Sequence, residues 1–196
     1  MSDASWGADF DPDRLASLEL RAWKAYYRRQ PIKLFGLLVL ANHEQAHVSW
    51  PRALLAAFHL ARGAYSFARA TDCYERFLPD IARGYRTLGL PGDVDVDEVA
   101  RRELRWWVVR REIGLAAGAE AGRAITALYS ALYRMPEEKV AEAGRLRGAA
   151  AEVRDRGAAE DPEGPTAAGR GYWPEVARLL RDSYGSLHAA IVAAAG

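Results

Sequence analysis

The chain has 196 residues, of which 50% are hydrophobic and 27% are charged. This composition excludes an intrinsically disordered protein and fits one domain with a buried core. Lysine and arginine number 27 against 26 aspartate and glutamate, a formal net charge of +1, so we expect neither nucleic-acid binding nor attraction to an anionic membrane.

Helical periodicity, with almost no strand-like alternation, predicts an all-α protein: a compact bundle of seven or eight helices with no sheet. The first helix begins at the N-cap residue Asp11 and ends before Pro31. The second runs from about Pro31 to Val48 and is apolar on every side over residues 34–41. We therefore expect the second helix to be central, together with the fifth.

The third helix follows Ser49 and runs to about Ala70, and its spacing predicts a core face made of Leu54, Phe58, Ala61, Tyr65 and Ala68. The fourth helix is kinked or divided at Pro79 and ends at Gly89.

Four further helices are predicted beyond that turn. The fifth follows Asp95, the sixth covers about residues 120–134, the seventh ends near Asp155, and the last begins near Trp173. Residues 158–171 are rich in proline and glycine and are read as a linker before the last helix. Residues 1–196 then form a single helical domain with a disordered N-terminus over residues 1–10.

A cytoplasmic location is expected from two features. Cys73 is a lone cysteine, which suits a reducing compartment, and the N-terminus has no apolar signal segment. The longest apolar run, Leu34–Ala41, is far shorter than the roughly 20 residues that a membrane-spanning helix needs.

The string His43-Glu44-Gln45-Ala46-His47 is the sharpest local motif. On a helix, His43 and His47 would lie one above the other and could bind one metal ion, as in zinc peptidases. In a second interpretation, Glu44 and His47 match half of a di-iron carboxylate-histidine motif. The alternative is that both histidines are helix-end residues that are capped, hydrogen-bonded or exposed.

Two glutamates fall inside apolar helix faces. Glu19 lies within the stripe of the first helix, and Glu103, with Arg110, lies within that of the fifth. A desolvated carboxylate costs several kcal/mol unless it is paired, protonated or bound to metal. Glu19 and Glu103 are therefore candidate ligands or acid–base groups. The alternative pairs Glu103 with Arg110 or another buried arginine and lets Glu19 accept hydrogen bonds from Tyr26 or tryptophan N–H groups.

The aromatic side chains also have two interpretations. They are either core residues, the usual role of aromatics at helical spacing, or the wall of a pocket for a flat ligand. The residues in question are Trp23, Tyr26, Tyr27, Trp106 and Trp107.

A resemblance adds a setting but no activity. The segments SLELRAWKAYYRRQP, VSWPRAL and ELRWWVVRR, followed by the turn Met135-Pro136-Glu137-Glu138, resemble an uncharacterised family of helical proteins from GC-rich actinobacteria. The resemblance implies a bacterial, cytoplasmic protein.

Two function classes stay open. The first is a metal-dependent enzyme of the di-metal carboxylate/histidine type acting on a small molecule; iron, manganese or zinc would be held by Glu19, His43, Glu44, His47 and Glu103. Arg110 would then orient an anionic substrate beside the catalytic Glu19 and Glu103. The second is a non-catalytic module that binds a small ligand or another protein.

Apolar residues on the last helix, Leu187, Ile191 and Val192, further predict a symmetric homodimer.

Overall fold

A computed structural model describes residues 6–114, 117–160 and 171–195 of the chain. The described residues form eight α-helices and a 3₁₀ turn, Tyr74–Phe77, with no strand, which confirms the predicted all-α bundle. The helices are α1 (Pro12–Tyr27), α2 (Pro31–Ala46), α3 (Trp50–Arg69), α4 (Leu78–Leu88), α5 (Val96–Ile113), α6 (Gly118–Tyr133), α7 (Glu137–Glu160) and α8 (Trp173–Ala195).

The eight helices form a closed ring. Each helix packs on the one before it and the one after it in the chain, and α8 closes the ring by packing on α1. A ring helix has one face toward the centre and another toward solvent. That arrangement explains why α2 is apolar on every side without being a central helix: Leu34 and Leu38 face the centre, whereas Ile32 is 89% exposed.

Side-chain caps fix the starts of two helices at the predicted residues. The Asp11 carboxylate accepts the backbone N–H groups of Asp13 and Arg14 at 2.9 and 3.2 Å. The Asp95 carboxylate does the same at the start of α5. Each cap satisfies N–H groups that the first helical turn leaves without a partner.

Helices α6 and α7 approach closely through glycines. A Cβ atom added to Gly148 would lie 2.3 Å from the backbone oxygen of Gly118, and one added to Gly144 would lie 2.1 Å from Thr126 Oγ1. These distances are far below van der Waals contact, so only glycine allows the two helices to pack at this separation.

The predicted core face of α3 is wrong. Leu54 and Phe58 are each 50% exposed, whereas Ala53, Ala56 and Ala57 are completely buried. Small residues face inward because α3 packs closely on α4, where a Cβ at Gly84 would lie 2.6 Å from Leu60 Cγ. The large apolar residues of α3 are left on the outer surface, where periodicity alone cannot place them.

The described parts of the two predicted irregular segments are ordered. Within the supposed N-terminal tail, Phe10 is buried and the Trp6 ring lies 5.8 Å from the Tyr133 ring. Helix α7 continues to Glu160, beyond the predicted end near Asp155 and into the supposed linker. Residues 1–5 and 161–170 of these predictions lie outside the described residues.

The apolar face of α8 belongs to the core, not to an exposed surface. Leu187 and Ile191 are buried and Val192 alone of the three is half exposed. The surface proposed for a homodimer is therefore absent from this helix. In the part of the chain that the structure describes, no helix combines the length and apolarity needed to cross a membrane.

Candidate functional site

The centre of the helix ring holds a cavity of about 550 Å³, a volume within the usual range of small-molecule sites. We call this cavity the lumen. All eight helices contribute to its wall, α1 to α8 in order through Glu19, Asn42, Phe67, Tyr85, Glu103, Tyr129, Arg147 and Tyr184.

One end of the lumen is organised around a buried arginine, Arg147 of α7. Its Nε and Nη2 donate to Oε1 of Glu19 at 2.9 and 2.7 Å, and its Nη1 donates to the Tyr129 hydroxyl at 3.2 Å. The Tyr184 hydroxyl donates to the other Glu19 oxygen. This ion pair joins α1 to α7, and α6 and α8 supply the hydrogen bonds that complete it. We call it the Arg147 cluster.

Glu103 lies beside this cluster but, among the described residues, makes no ion pair. Its carboxylate accepts the Tyr85 hydroxyl at 2.9 Å and the Trp107 indole N–H at 3.0 Å. Burial raises the pKa of the Glu103 carboxyl above its usual value, and the positive charge of Arg147 opposes that rise. Burial therefore favours the protonated form of the Glu103 carboxyl.

The raised pKa of Glu103 makes a prediction about stability. Between the ordinary glutamate pKa of about 4.3 and the higher folded-state pKa, the folded chain binds more protons than the unfolded chain, so stability falls as pH rises. The Glu103→Gln variant has no ionisable carboxyl at this position, so it does not lose this stability as pH rises. We expect its free energy of unfolding, measured by urea titration, to improve relative to the native chain as pH rises from about 4 toward neutrality.

Glu142→Gln is the matched control, because the hydrogen bond from Arg145 lowers the pKa of the exposed Glu142 carboxyl. Its pH dependence has the opposite sign. A stability difference between the native chain and Glu103→Gln that stays flat across this pH range would contradict the burial of an ionisable Glu103 carboxyl.

The other end of the lumen holds two arginines on one carboxylate. Arg110 Nη2 donates to both Asp155 oxygens at 2.9 and 2.8 Å, and Arg154 Nη1 donates to one of them at 2.8 Å. Tyr27 completes the group, since its hydroxyl lies 3.1 Å from Arg110 Nη2 and its ring centre lies 3.1 Å from the Arg154 guanidinium carbon. We call these four residues the Arg110 cluster.

An aromatic surface connects the two clusters. Trp106 lies between Glu103 and Arg110 on the face of α5, and these two residues are two helical turns apart, or about 10 Å. The Trp106 ring centre lies 5.4 Å from the Arg147 guanidinium and 6.0 Å from that of Arg110. Trp23 contributes a second indole near Arg110, at 5.7 Å. The lumen wall therefore carries two charged clusters, and the flat Trp106 ring lies within about 6 Å of an arginine of each.

Several buried donors in the lumen wall have no hydrogen-bond partner among the described residues. Five such side-chain atoms occur in all, and four of them belong to lumen residues: Asn42 Nδ2, Trp106 Nε1, Arg110 Nε and Arg154 Nε. Trp106 is near enough to Glu103 to help lower its pKa, yet it does not reach hydrogen-bond geometry. An unpaired buried donor costs about 1–3 kcal/mol and calls for a specific reason.

The predicted metal motif at the end of α2 does not assemble. The helix ends at Ala46, and His47 follows it in the left-handed conformation (φ 47°), exposed to solvent. His43 Nδ1 lies 2.7 Å from the Val48 carbonyl oxygen, and its ring stacks on Trp50. The two histidines are thus hydrogen-bonded or exposed helix-end residues, as in the alternative interpretation.

Glu44 ties two helices together instead of binding metal. One of its oxygens accepts the backbone N–H of Asp11 at 3.0 Å and the other lies 2.9 Å from Arg14 Nε. The carboxylate therefore links the end of α2 to the first turn of α1 through these two contacts.

The five predicted ligands do not fit a metal ion. Both oxygens of Glu19 and both oxygens of Glu103 face N–H or O–H donors, which would repel a cation. No group of three or more histidine, cysteine, aspartate or glutamate side chains in the described ranges is arranged to hold a metal. The described structure therefore does not bring Glu19, His43, Glu44, His47 and Glu103 together as a site for iron, manganese or zinc.

The structure does place Glu19, Glu103 and Arg110 on one cavity, although their partners differ from those expected. Arg110 pairs with Asp155, and Glu19 pairs with Arg147. Sequence reasoning missed both partners on α7. A signal was available for Arg147, which lies seven residues after Val140 and four after Ala143 and so falls within the buried stripe of α7.

Comparisons with known proteins returned no match to a family model, to a curated protein or to a solved structure. The likeness to actinobacterial helical proteins stays a prediction.

Proposed function

We propose that the lumen binds a small organic anion with a flat apolar body. The observation that carries the proposal is a ligand-sized cavity that all eight helices line and that holds an excess of arginine. Its wall contains four arginines (Arg110, Arg111, Arg147 and Arg154) and three acids (Glu19, Glu103 and Asp155), so 4 − 3 leaves a charge of +1. Protonation of Glu103 raises this to +2.

The Arg110 cluster is the proposed anchor for the ligand's carboxylate or phosphate group. Arg110 and Arg154 share the single carboxylate of Asp155, so one of their two charges is not neutralised. Each also carries a buried Nε–H without a partner among the described residues. Small rotations would turn these planar donors toward an anion, which they match in a bidentate manner.

The flat body of the ligand would lie on Trp106 and Trp23, where face contacts with indole are favourable. Its far end would reach Glu103, about 10 Å from Arg110 along α5. A protonated carboxyl donates one hydrogen bond, so Glu103 suits a ligand carbonyl or hydroxyl. Glu19 differs from Glu103 in that its carboxylate is held in the ion pair with Arg147 and also accepts the Tyr184 hydroxyl. We therefore assign Glu19 a structural role.

A calorimetric screen tests this function. Aromatic carboxylates, aliphatic carboxylates of equal length and the corresponding neutral amides are titrated into the full chain. We expect the aromatic acids to bind and the amides to bind at least roughly ten-fold more weakly, because a charge-assisted contact to arginine is worth about 1.5–3 kcal/mol.

Two variants locate the binding site. Arg110→Met should weaken binding of the acids about ten-fold or more, since it removes an anchoring cation while keeping an apolar stem of similar length. Arg145→Met is the control, because Arg145 lies on the exposed side of α7 and contacts Glu142. Equal binding of acids and amides, or binding that survives Arg110→Met unchanged, would refute the proposal.

A further inference from the structure

The outer surface of α2 and α3 carries most of the large apolar side chains that the described structure exposes. Of nine such residues, six lie on these two helices: Ile32, Trp50, Leu54, Leu55, Phe58 and Tyr65. We call these six residues the α2–α3 patch. A shallow groove of about 370 Å³, lined by Phe35, Pro51, Leu54, Leu55 and Phe58, runs between the two helices.

The patch follows one side of α3, with the exposed Arg62 between Phe58 and Tyr65. Leu54, Leu55 and Phe58 lie within one turn, and Tyr65 follows Phe58 by seven residues, which returns to the same helix face. On α2, Ile32 precedes the groove residue Phe35 by three positions and shares its face. Trp50 and Tyr65 stand about 22 Å apart at opposite ends of the row.

Basic residues are concentrated in the segment that carries this patch. Residues 28–69 contain six lysines and arginines but one acid, Glu44, so 6 − 1 gives +5 for a segment of a chain whose total is +1. All six basic residues are exposed, whereas Glu44 is buried beside Arg14. Within the described chain, Arg62 pairs with Asp80 of α4, and the other five form no ion pair. They are Arg28, Arg29, Lys33, Arg52 and Arg69.

We infer that the α2–α3 patch docks on the surface of an anionic lipid bilayer. Apolar and aromatic side chains flanked by arginine and lysine are the features that hold a helix in the headgroup region, where tryptophan and tyrosine are favoured and anionic headgroups attract the cations. Docking at the surface requires no membrane-spanning helix. It departs from the expectation drawn from the net charge of +1, because the segment that carries the patch has a charge of +5.

Charge distinguishes this occupant from a second copy of the chain. A two-fold interface places the same surface on both sides, so it would bring together two positively charged segments with no acidic partner for their unpaired cations. An anionic surface would neutralise them.

Vesicle co-sedimentation of the full chain tests the inference. We expect the protein to sediment with vesicles of phosphatidylcholine and phosphatidylglycerol, to stay in solution with phosphatidylcholine alone, and to be released as sodium chloride is raised. A Leu54→Ser, Phe58→Ser variant should lose at least roughly ten-fold in partition to the anionic vesicles, since two apolar side chains no longer enter the bilayer.

The matched control is Ile113→Ser, Val192→Ser, which alters two exposed apolar residues away from the patch and should leave the partition unchanged. Circular dichroism confirms that both variants fold. Failure to bind anionic vesicles, or equal binding by the patch variant, would overturn the inference. So would a native dimer, detected by analytical ultracentrifugation, that the patch variant converts to a monomer, because the occupant would then be a second copy.

Discussion

Replacing Arg147 with methionine should destabilise the protein by about 3–5 kcal/mol, the cost of leaving one member of a buried ion pair without its partner. Glu19 would keep the Tyr184 hydrogen bond but lose both contacts from Arg147. The loss would be measured as a lower urea midpoint in circular dichroism at neutral pH. Arg145→Met, two residues earlier on the exposed side of α7, should change the midpoint little.

The double variant Glu19→Met, Arg147→Met tests whether the loss of stability comes from the unpaired charge. Replacing both members of a buried pair with apolar residues is often neutral, so the double variant should be more stable than Arg147→Met alone. A double-mutant cycle would give the coupling energy between the two positions. If the double variant is as unstable as the sum of the single variants, the ion pair does not explain the cost of removing Arg147.

The helices themselves were predictable from the sequence because local signals specify them. Asp11 and Asp95 cap helices at the predicted residues, and the spacing of apolar residues gave the number of helices. Such signals act within a few residues. They carry no information on which neighbour a face will meet, and the prediction that α2 and α5 are central was wrong for that reason, since both are members of the ring.

Because the helices close into a ring, an apolar helix face can be either buried in the core or exposed on the outer surface. In α3, Leu54, Leu55 and Phe58 lie outward while the small residues Ala53, Ala56 and Ala57 are buried, and Gly84 of α4 lies against Leu60 and Ala56. In α8, Leu187 and Ile191 were assigned to a dimer surface but are core residues of the helix that closes the ring. Periodicity identifies an apolar face, and only the packing partner decides whether that face is covered.

The sequence identified the charged residues of the site but not their partners, because a local pattern does not show which side chains meet. A charge inside an apolar stripe marks a position that must be compensated, and this rule placed Glu19, Glu103 and Arg110 on the lumen. It does not identify the compensating group. Arg147 is 128 residues from Glu19 in sequence, so its pairing depends on the closure of the ring. The metal assignment failed because His47 lies beyond the helix end, where the spacing rule for helical ligands no longer applies.

Replacing Asp155 with alanine should also destabilise the protein strongly and, in addition, should create a dependence on small anions. The change leaves Arg110 and Arg154 facing each other without the carboxylate that they share. We expect a loss of about 3 kcal/mol, at the low end for a buried pair because all three side chains keep some exposure. Urea denaturation would measure it.

Formate should restore part of this stability because it can occupy the space of the missing carboxylate and accept hydrogen bonds from both guanidinium groups. The measurement is the thermal midpoint of Asp155→Ala in sodium formate against sodium chloride at equal ionic strength. Asp182→Ala is the control, since Asp182 pairs with Arg178 on the exposed side of α8. A formate effect equal in both variants would show a general salt response and would count against the Arg110 cluster as an anion anchor.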